Sequence, residues 1–284
     1  MILSSKHLLK RKIIYKSLLS ISKKNKIKNI NSLFFNQKIL YINEIKYLIK
    51  LYIRENLQNT YKKKFGIDSY YTESKKILKL RNVTPNGIIN PREETQFIYR
   101  LIVDYIFKSM STISPYIATC TIPVIRYRAG MLTKELKNRP YATSKIHSDA
   151  WVGQHGDAIM TLGILGDCKN NGVNFYYPEK ISSNFFKKID DYNIGDALFN
   201  KKTKIGILEL DRWHLFDHGI LHNSFIKNNS KPRISIDFGV KLSKSMDKNQ
   251  KINKRWDYHD IKKFKDVSSC AFLKFDKSIH SKIF

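Results

Sequence analysis

The residues best suited to chemistry lie in one short stretch, I-H-S-D-A-W at residues 146–151. His147 and Asp149 are separated by one residue, and alternate side chains of a β-strand point to the same face. An imidazole nitrogen and a carboxylate oxygen suit Fe(II), which two histidines and one carboxylate can bind with three positions left open. A His-x-Asp pattern alone is common in long chains, so its weight depends on residues elsewhere.

A second histidine and an arginine follow far downstream. His222 lies 75 residues after His147 and 11 before Arg233, which places His222 and Arg233 on consecutive predicted strands. The planar guanidinium of Arg233 suits the carboxylate of an anionic co-substrate, and Ser235 faces the same side with a hydroxyl donor. His218 is the alternative second histidine, and the spacing to the arginine favours His222.

Several other side chains are candidates for contacts with a co-substrate or substrate. The aromatic residues among them are equally suited to filling the wall of the barrel, and the arginines are equally suited to pairing with carboxylates such as Asp157. We interpret His155 as a loop or substrate-side histidine and His214 as a strand residue. Asp217 is suited to orienting a histidine ring or to capping a turn. Asp237 is suited to facing the same side as Arg233 and Ser235 or to pairing with a local cation. The candidates on or beside the strands are Arg126, Tyr127, Arg128, Tyr141, Thr143 and Trp151.

The elements that must position these residues are predicted to be strands. From about residue 112 to residue 242 the chain has short apolar runs separated by glycine and asparagine turns. Eight short strands at this spacing indicate a sandwich or jelly roll and not a parallel α/β sheet. The predicted strands are residues 120–127, 144–151, 159–165, 173–177, 205–210, 213–216, 220–225 and 233–240.

The region before the strands is predicted to be helical. Apolar residues recur at helical spacing in residues 39–57, and turn residues followed by two glutamates start a second helix that reaches about Met110. The predicted fold class is therefore mainly β with flanking helices, an α+β arrangement. We expect an N-terminal helical region packed on the core (1–117), a strand-rich core (118–242) and a C-terminal extension (243–284).

The set H-x-D, H and R-x-S on a strand-rich core resembles the superfamily of 2-oxoglutarate- and Fe(II)-dependent oxygenases. Within this superfamily, the sequence is most similar to phytanoyl-CoA-dioxygenase-like members from antibiotic and carbohydrate gene clusters. The similar segments are R-P-Y-A-T-S-K-I-H-S-D-A-W-V-G, then I-L-G-D and N-G-V-N-F-Y-Y-P. The resemblance covers about residues 118–242. It implies a double-stranded β-helix, or jelly roll, in which His147, Asp149 and His222 are metal ligands and catalytic residues. It also implies that Arg233 and Ser235 bind 2-oxoglutarate, and we expect Thr143 to contact this co-substrate.

The resemblance further implies a reaction. Fe(II) is the expected cofactor, with 2-oxoglutarate and dioxygen as co-substrates, for hydroxylation of an unactivated C–H bond with release of succinate and CO₂. The substrate class is a small molecule, such as a sugar or a secondary metabolite. Desaturation, epimerisation and ring closure remain open, whereas halogenation is disfavoured because a halide would need the place of Asp149. One departure is Gly239, where relatives often carry a basic residue after S-x-D-F.

The charge of the chain is its unusual bulk property. A formal net charge of +28 suggests nucleic acid or an acidic surface as partner. However, the lysines are spread along the chain and accompany many asparagines and isoleucines, which favours a compositional bias, and no nucleic-acid motif is present. An anionic small-molecule substrate fits the basic side chains, although the same bias explains them.

Cysteine usage and hydropathy indicate the kind of environment in which the protein is expected. Cys120, Cys168 and Cys270 are far apart without a C-x-x-C pair, so neither a zinc ribbon nor a disulfide framework is indicated. Charged residues interrupt every short apolar run near the N-terminus, and no run approaches the ~18 residues of a membrane span. We therefore expect a soluble, cytoplasmic protein without a membrane partner.

Two other functions compete with the oxygenase. One is a non-catalytic jelly-roll binding protein that uses its basic surface, which the intact set of three ligands and Arg233 disfavours. The other is a cupin-like metal enzyme that needs no 2-oxoglutarate, and Arg233 at its spacing disfavours this function too.

Overall fold

The computed structural model describes the segments that carry most of the predicted strands and the first two predicted helices. Predictions for His155, Asp157, His218 and Cys270 lie outside the described residues. The described residues are 39–109, 117–130, 139–152, 158–178, 189, 191–199, 201–217, 220–227, 230–242 and 259–260.

The first long helix buries one face, with apolar residues three and four positions apart from Ile45 to Leu57. It begins at Ile42 and not at residue 39, because Tyr41 has a left-handed backbone with φ 59° that a helix cannot include. The described residues form the helices α1 (Ile42–Tyr61), α2 (Ser69–Thr72), α3 (Ser74–Ile77), α4 (Gln96–Ser109) and α5 (Tyr192–Leu198), with 3₁₀ turns at Glu93–Thr95 and Asp149–Val152.

Within the described residues, the strands form two sheets whose strand pairings are all antiparallel, as predicted for a mainly β chain with helices. The strands are β1 (Ile88–Ile89), β2 (Ile117–Cys120), β3 (Val124–Arg128), β4 (Ala158–Gly166), β5 (Asn171–Pro178), β6 (Lys202–Ile207), β7 (Trp213–Asp217), β8 (Leu221–Ile226), β9 (Arg233–Leu242) and β10 (His259–Asp260).

The larger sheet is built around β9. Strand β4 pairs along one edge of β9 and carries β7 on its other side. Strands β3 and β2 pair in succession along the opposite edge of β9, from Arg233 to Leu242. The first half of β9 therefore lies between β3 and β4. The candidate residues of β3 and β9 lie in this part of the sheet.

The smaller sheet has the order β6-β5-β8, and a loop segment covers the outer edge of β8. The backbone N–H of Ser224 donates to the carbonyl of Thr143 at 2.7 Å, and the side chain of Asn223 donates to the carbonyl of Ser144 at 3.1 Å. His147 forms an isolated antiparallel bridge with His222. Residues 143–147 thus lie along β8 without forming a regular strand.

Three predicted strands need correction. The strand predicted at 144–151 is wrong, because only His147 makes a bridge and a 3₁₀ turn begins at Asp149. The strand predicted at 120–127 is two strands, since residues 121–123, which include Pro123, belong to neither. The strand predicted at 205–210 begins and ends three residues earlier. Helix α5 lies in a region that was predicted to contain only strands and turns.

Two apolar clusters hold these elements together. The larger one combines the buried faces of α1 and α4 with residues of both sheets, such as Phe175 and Ile236. The smaller one contains Ile146, Trp151 and Tyr192, and it packs beneath the loop that carries His147 and Asp149. Among the described residues, no helix is both long and apolar enough to cross a membrane.

Candidate metal centre

His147 and His222 are brought together by their own backbones. The N–H of His147 donates to the carbonyl of His222 at 3.0 Å, and the N–H of His222 donates to the carbonyl of His147 at 2.8 Å. Residues that exchange both hydrogen bonds in an antiparallel pair project their side chains to the same side. The ring centroids are accordingly 4.3 Å apart.

Asp149 joins the two histidines through the turn that follows His147. It is the first residue of the 3₁₀ turn Asp149–Val152, whose next turn residues enter the smaller apolar cluster through Trp151. One carboxylate oxygen lies 3.6 Å from Nε2 of His222. One candidate ligand atom from each of His147, Asp149 and His222 lies within 4.8 Å of the other two.

Both histidines have a ring orientation that suits metal binding. Nδ1 of His147 is 2.8 Å from the carbonyl of Lys145, and Nδ1 of His222 is 3.0 Å from the carbonyl of Ile220. A carbonyl oxygen only accepts hydrogen bonds, so each Nδ1 carries the proton and each Nε2 keeps a free lone pair. This second hydrogen bond to a backbone carbonyl is typical of metal-ligating histidines.

His214 makes the same local contact but is not available to a metal. Its Nδ1 is 3.0 Å from the carbonyl of Arg212, and its Nε2 accepts the backbone N–H of Glu209 at 3.2 Å. His214 is therefore a satisfied core histidine, and it offers a matched control for the candidate ligands.

Burial shifts the pKa of two candidate ligands, His147 and Asp149. His147 is 2% exposed, and burial, followed by the nearby His222, lowers the pKa of its imidazole well below the usual value. Burial also raises the pKa of the Asp149 carboxyl, against the opposing effects of His222 and Arg126. The neutral imidazole is the form that binds a metal, and two Nε2 atoms with one carboxylate fit a divalent ion with open positions.

The three candidate ligands open into a cavity of about 120 Å³ between the two sheets. Alternate residues of β3 (Val124, Arg126, Arg128) and of β9 (Arg233, Ser235, Asp237) line one wall, because strand side chains alternate between faces. Residues of β5 and β8 line the other wall. One water needs ~10–15 Å³ of such space, so the cavity has room for a small organic acid.

Arg126 and Asp237 form a partly buried ion pair on the wall near Asp149. Nη2 and Nε of Arg126 donate to the two carboxylate oxygens of Asp237 at 2.7 and 3.3 Å, and Nη1 donates to the carbonyl of Asn86 at 3.1 Å. Their positive and negative charges compensate each other, so this pair contributes no net charge to the cavity.

Arg128 and Arg233 are different, because neither is paired with a carboxylate among the described residues. Arg233 is 1% exposed, and burial lowers the pKa of its guanidinium to about 10. Arg128 is 8% exposed and donates to the hydroxyl oxygens of Thr143 and Ser224. Burial, then the charges of Arg126 and Arg233, lowers the pKa of the Arg128 guanidinium to about 9.

Some of the remaining predicted residues line the cavity and others do not. Tyr127 is buried on the opposite face of β3, where its hydroxyl donates to the carbonyl of Tyr70. Tyr141 is half exposed, and Trp151 is buried against Phe199. Asp217 is the last residue of β7. Gly239 lines the cavity, as does Thr143.

Sequence reasoning missed two residues that surround the candidate ligands. The ring of Tyr192 stacks on that of His147, with centroids 4.2 Å apart and planes 15° apart. The ring of Phe175 lies 6.2 Å from that of His222. Phe175 has the alternation of a strand residue as its signal, whereas Tyr192 is in helix α5 and no spacing in the sequence connects it to His147.

No protein-family model and no curated protein matches the chain. Among solved structures, the chain is similar to SnoN, described as a non-heme alpha ketoglutarate dependent epimerase from nogalamycin biosynthesis. This match has 11% identity and a TM-score of 0.28 and covers 50% of this chain and 51% of SnoN, about half its length.

The chain is also similar to the non-heme monooxygenase ThoJ. The nickel complex of ThoJ matches with 12% identity and a TM-score of 0.36, over 88% of this chain and 94% of that one. Apo ThoJ matches with 11% identity and a TM-score of 0.39, over 88% and 93%. All of these TM-scores are below 0.5, so the matches support no conclusion about the fold or the reaction of this chain. Any function must be inferred from its own residues.

Proposed function

We propose that this protein is a mononuclear Fe(II) oxygenase that uses 2-oxoglutarate to oxidise a C–H bond of a small organic molecule. The observation that carries the proposal is that His147, Asp149 and His222 share one cavity with Arg233. The guanidinium of Arg233 is buried and has no paired carboxylate among the described residues. Two histidines and one carboxylate with open positions suit Fe(II) and a chelating co-substrate. A buried guanidinium beside them suits the far carboxylate of that co-substrate.

Each residue has a defined part in this proposal. His147 and His222 would ligate the metal through Nε2, while the carbonyls of Lys145 and Ile220 hold their rings in orientation. Asp149 would supply the anionic ligand. Arg233, with Ser235 beside it on the same face of β9, would bind the carboxylate that the metal does not reach.

The bound metal and co-substrate would supply the oxidising chemistry, in which dioxygen is consumed and 2-oxoglutarate is converted to succinate and CO₂. The protein contributes position and exclusion of water. Phe175 and Phe216 pack around His222 and limit access of solvent from that side. We expect hydroxylation of a sugar or secondary metabolite, with desaturation and epimerisation as other outcomes of the same site.

The finer classification belongs to the same proposal. Two antiparallel sheets that face each other across a cavity are the arrangement expected of a double-stranded β-helix. The residues of the H-x-D segment are most similar to the phytanoyl-CoA-dioxygenase-like branch. We also propose an anionic small molecule as substrate, which the formal net charge of +28 favours.

The test is anaerobic titration of the protein with Fe(II) and 2-oxoglutarate, followed in the visible region for the weak charge-transfer band of the chelate. We expect the band in the wild type and its loss in His147→Ala and His222→Ala. Loss of a ligand should weaken Fe(II) binding by more than the 10–100-fold typical of an outer-sphere partner. A wild-type protein without the band would contradict the proposal.

Two further histidine variants, His214→Ala and His218→Ala, and one arginine variant, Arg233→Ala, sharpen this test. His214→Ala, at a buried histidine with a satisfied Nε2, should keep the band if the protein remains folded. If the band survives His222→Ala and disappears in His218→Ala, the second ligand is His218. Slow formation of succinate without substrate, lost in Arg233→Ala, distinguishes the oxygenase from a non-catalytic binding protein.

A further inference from the structure

Arg128 lies directly opposite Arg233 in the pairing of β3 with β9. Both side chains line the same cavity, so the two guanidiniums project from neighbouring positions on one face of the sheet. Side chains of directly opposite residues start ~5 Å apart, and like charges at such positions destabilise a sheet. We call Arg128 and Arg233 the arginine pair.

No described side chain neutralises the arginine pair. The carboxylate of Asp237 acts on both guanidiniums, but Arg126 already binds both of its oxygens. Arg139 adds a further positive charge close to Arg128. Cys168 is close to Arg233, but burial raises the pKa of its thiol to about 11, so it remains neutral.

The hydrogen-bonding groups of the arginine pair are also incompletely used. Nε of Arg128 and both Nε and Nη1 of Arg233 are buried and have no partner among the described residues. The partners of Arg128 are the hydroxyls of Thr143 and Ser224, which accept hydrogen bonds but carry no charge. Buried charges without compensation are costly and mark a place where an anion is expected.

We infer that Arg128 and Arg233 together bind one carboxylate of a small dicarboxylate, so that Arg128 is a second binding residue for the anion. This inference rests on the proposed function and names Arg128, with Ser224, as part of the co-substrate site. A carboxylate has two oxygens with about four acceptor positions, enough for two guanidiniums and a hydroxyl. Binding of the anion relieves the repulsion within the arginine pair.

The inference is tested on metal-free protein with glutarate, a dicarboxylate that lacks the keto group needed for chelation. The thermal midpoint is measured against glutarate concentration in buffer without polyvalent anions. We expect glutarate to raise the wild-type midpoint. Arg128→Gln should weaken glutarate binding by at least about tenfold, because it removes one charge-assisted partner.

The midpoint without anion separates a binding role from a structural one. Because the arginine pair is repulsive when empty, Arg128→Gln should leave the anion-free midpoint equal to or above that of the wild type. Arg128→Lys, which keeps the charge without the planar fork, should retain part of the response. A lower anion-free midpoint with an unchanged glutarate response in Arg128→Gln would overturn the inference.

Two controls address charge and ligand class. Arg139→Gln removes a nearby positive charge from a residue that does not line the cavity, and it should keep most of the glutarate response. Inorganic phosphate is the comparison oxyanion, and a rise as large as that with glutarate would overturn the assignment to a carboxylate.

The two proposals fail separately. Glutarate binding is measured without metal, and metal binding is measured by the Fe(II) titration of the histidine variants. A protein that binds glutarate through Arg128 but shows no Fe(II) band contradicts the oxygenase alone. A protein that shows the band, and whose glutarate response is the same in the wild type and in Arg128→Gln, contradicts the role of Arg128 alone.

Discussion

His147, His214 and His222 use the same local contact, in which Nδ1 meets the carbonyl two residues earlier in the chain. The partner of Nε2 distinguishes their roles. The backbone N–H of Glu209 occupies Nε2 of His214, whereas the Nε2 atoms of the other two are directed toward Asp149 and the cavity. A histidine with this local contact is thus recognisable as a candidate ligand only when its second nitrogen is free.

Tyr192 is expected to position His147. Its ring stacks on the imidazole and is itself contacted edge-on by Tyr141 at 5.4 Å. Removing the ring in Tyr192→Ala should lower the affinity for Fe(II) about tenfold, the lower end of the range for partners that orient a ligand. Calorimetric titration with Fe(II) under anaerobic conditions measures the change.

The matched variant is Tyr192→Phe, which keeps the stacked ring and loses only the hydroxyl. It should bind Fe(II) as the wild type does. Equal loss in both variants would show that the hydroxyl and not the stacking is responsible, and equal retention would show that the ring does not position His147.

At this scale the sequence indicated which side chains to bring together but not how they are supported. His147, Asp149, His222, Arg233 and Ser235 all line one cavity, as expected from their types and spacing, and their roles remain predictions. Tyr192 could not be found, because it reaches His147 through packing of helix α5 on a loop. Such contacts have no period along the chain.

At the scale of elements, the H-x-D segment shows how a correct grouping can follow from a wrong geometry. Strand alternation was expected to put His147 and Asp149 on one face. In the structure His147 makes a single bridge to β8, and the 3₁₀ turn at Asp149–Val152 brings the carboxylate around. The sequence could not reveal this, because burial of Ile146 and Trp151 in the smaller cluster decides the path of the loop.

Gly166 at the end of β4 determines how closely β9 can approach. Its φ is +87°, and a Cβ atom there would lie 1.8 Å from the carbonyl oxygen of Pro232 and 3.0 Å from Cα of Arg233. Gly166→Ala should therefore lower the free energy of unfolding by more than ~2 kcal/mol, from strain and displaced backbone together. Urea denaturation followed by circular dichroism measures this.

Gly66→Ala is the control, because no atom lies within 4 Å of a Cβ at that position. Its free energy of unfolding should change by less than ~1 kcal/mol. If both alanine variants were equally stable, the close approach at Gly166 would not be a constraint on the start of β9.

At the scale of the whole molecule, the antiparallel, mainly β architecture with helices was predictable from apolar runs and turn residues. The pairing of strands was less so. Strand β9 pairs with β2, β3 and β4, which lie between 67 and 125 residues earlier at their nearest and farthest ends. The local sequence R-I-S-I-D-F does not indicate which strands pair with β9, because the pairing depends on which apolar faces are buried against each other.

The buried His214 makes the stability of the whole chain depend on pH. Burial lowers the pKa of its imidazole to about 4. The unfolded chain gains a proton on this ring below its usual pKa of 6.5, whereas the folded chain stays neutral until about 4. The free energy of unfolding contributed by this residue is therefore fully present above pH 6.5 and is lost as pH falls toward 4.

Between pH 7 and pH 5 this loss should amount to about 2 kcal/mol, at 1.36 kcal/mol per pH unit below the unfolded pKa. Urea denaturation of the wild type and of His214→Gln at both pH values measures it. The variant should lose less stability over this interval by about that amount. An identical pH dependence in the two proteins would contradict the assignment.

The bridge between His147 and His222 also joins two points that are more than seventy residues apart in the chain. Three backbone hydrogen bonds, two in the bridge and one from Ser224 to Thr143, hold residues 143–147 against the outer edge of β8. A metal ion shared by the two histidines would cross-link these distant points, and a cross-link that closes a long stretch of chain removes the most chain entropy. Loss of the metal and uncovering of the edge of β8 are then parts of one event. Because an uncovered edge strand is a template for pairing with another chain, metal content would also govern the tendency of this protein to aggregate.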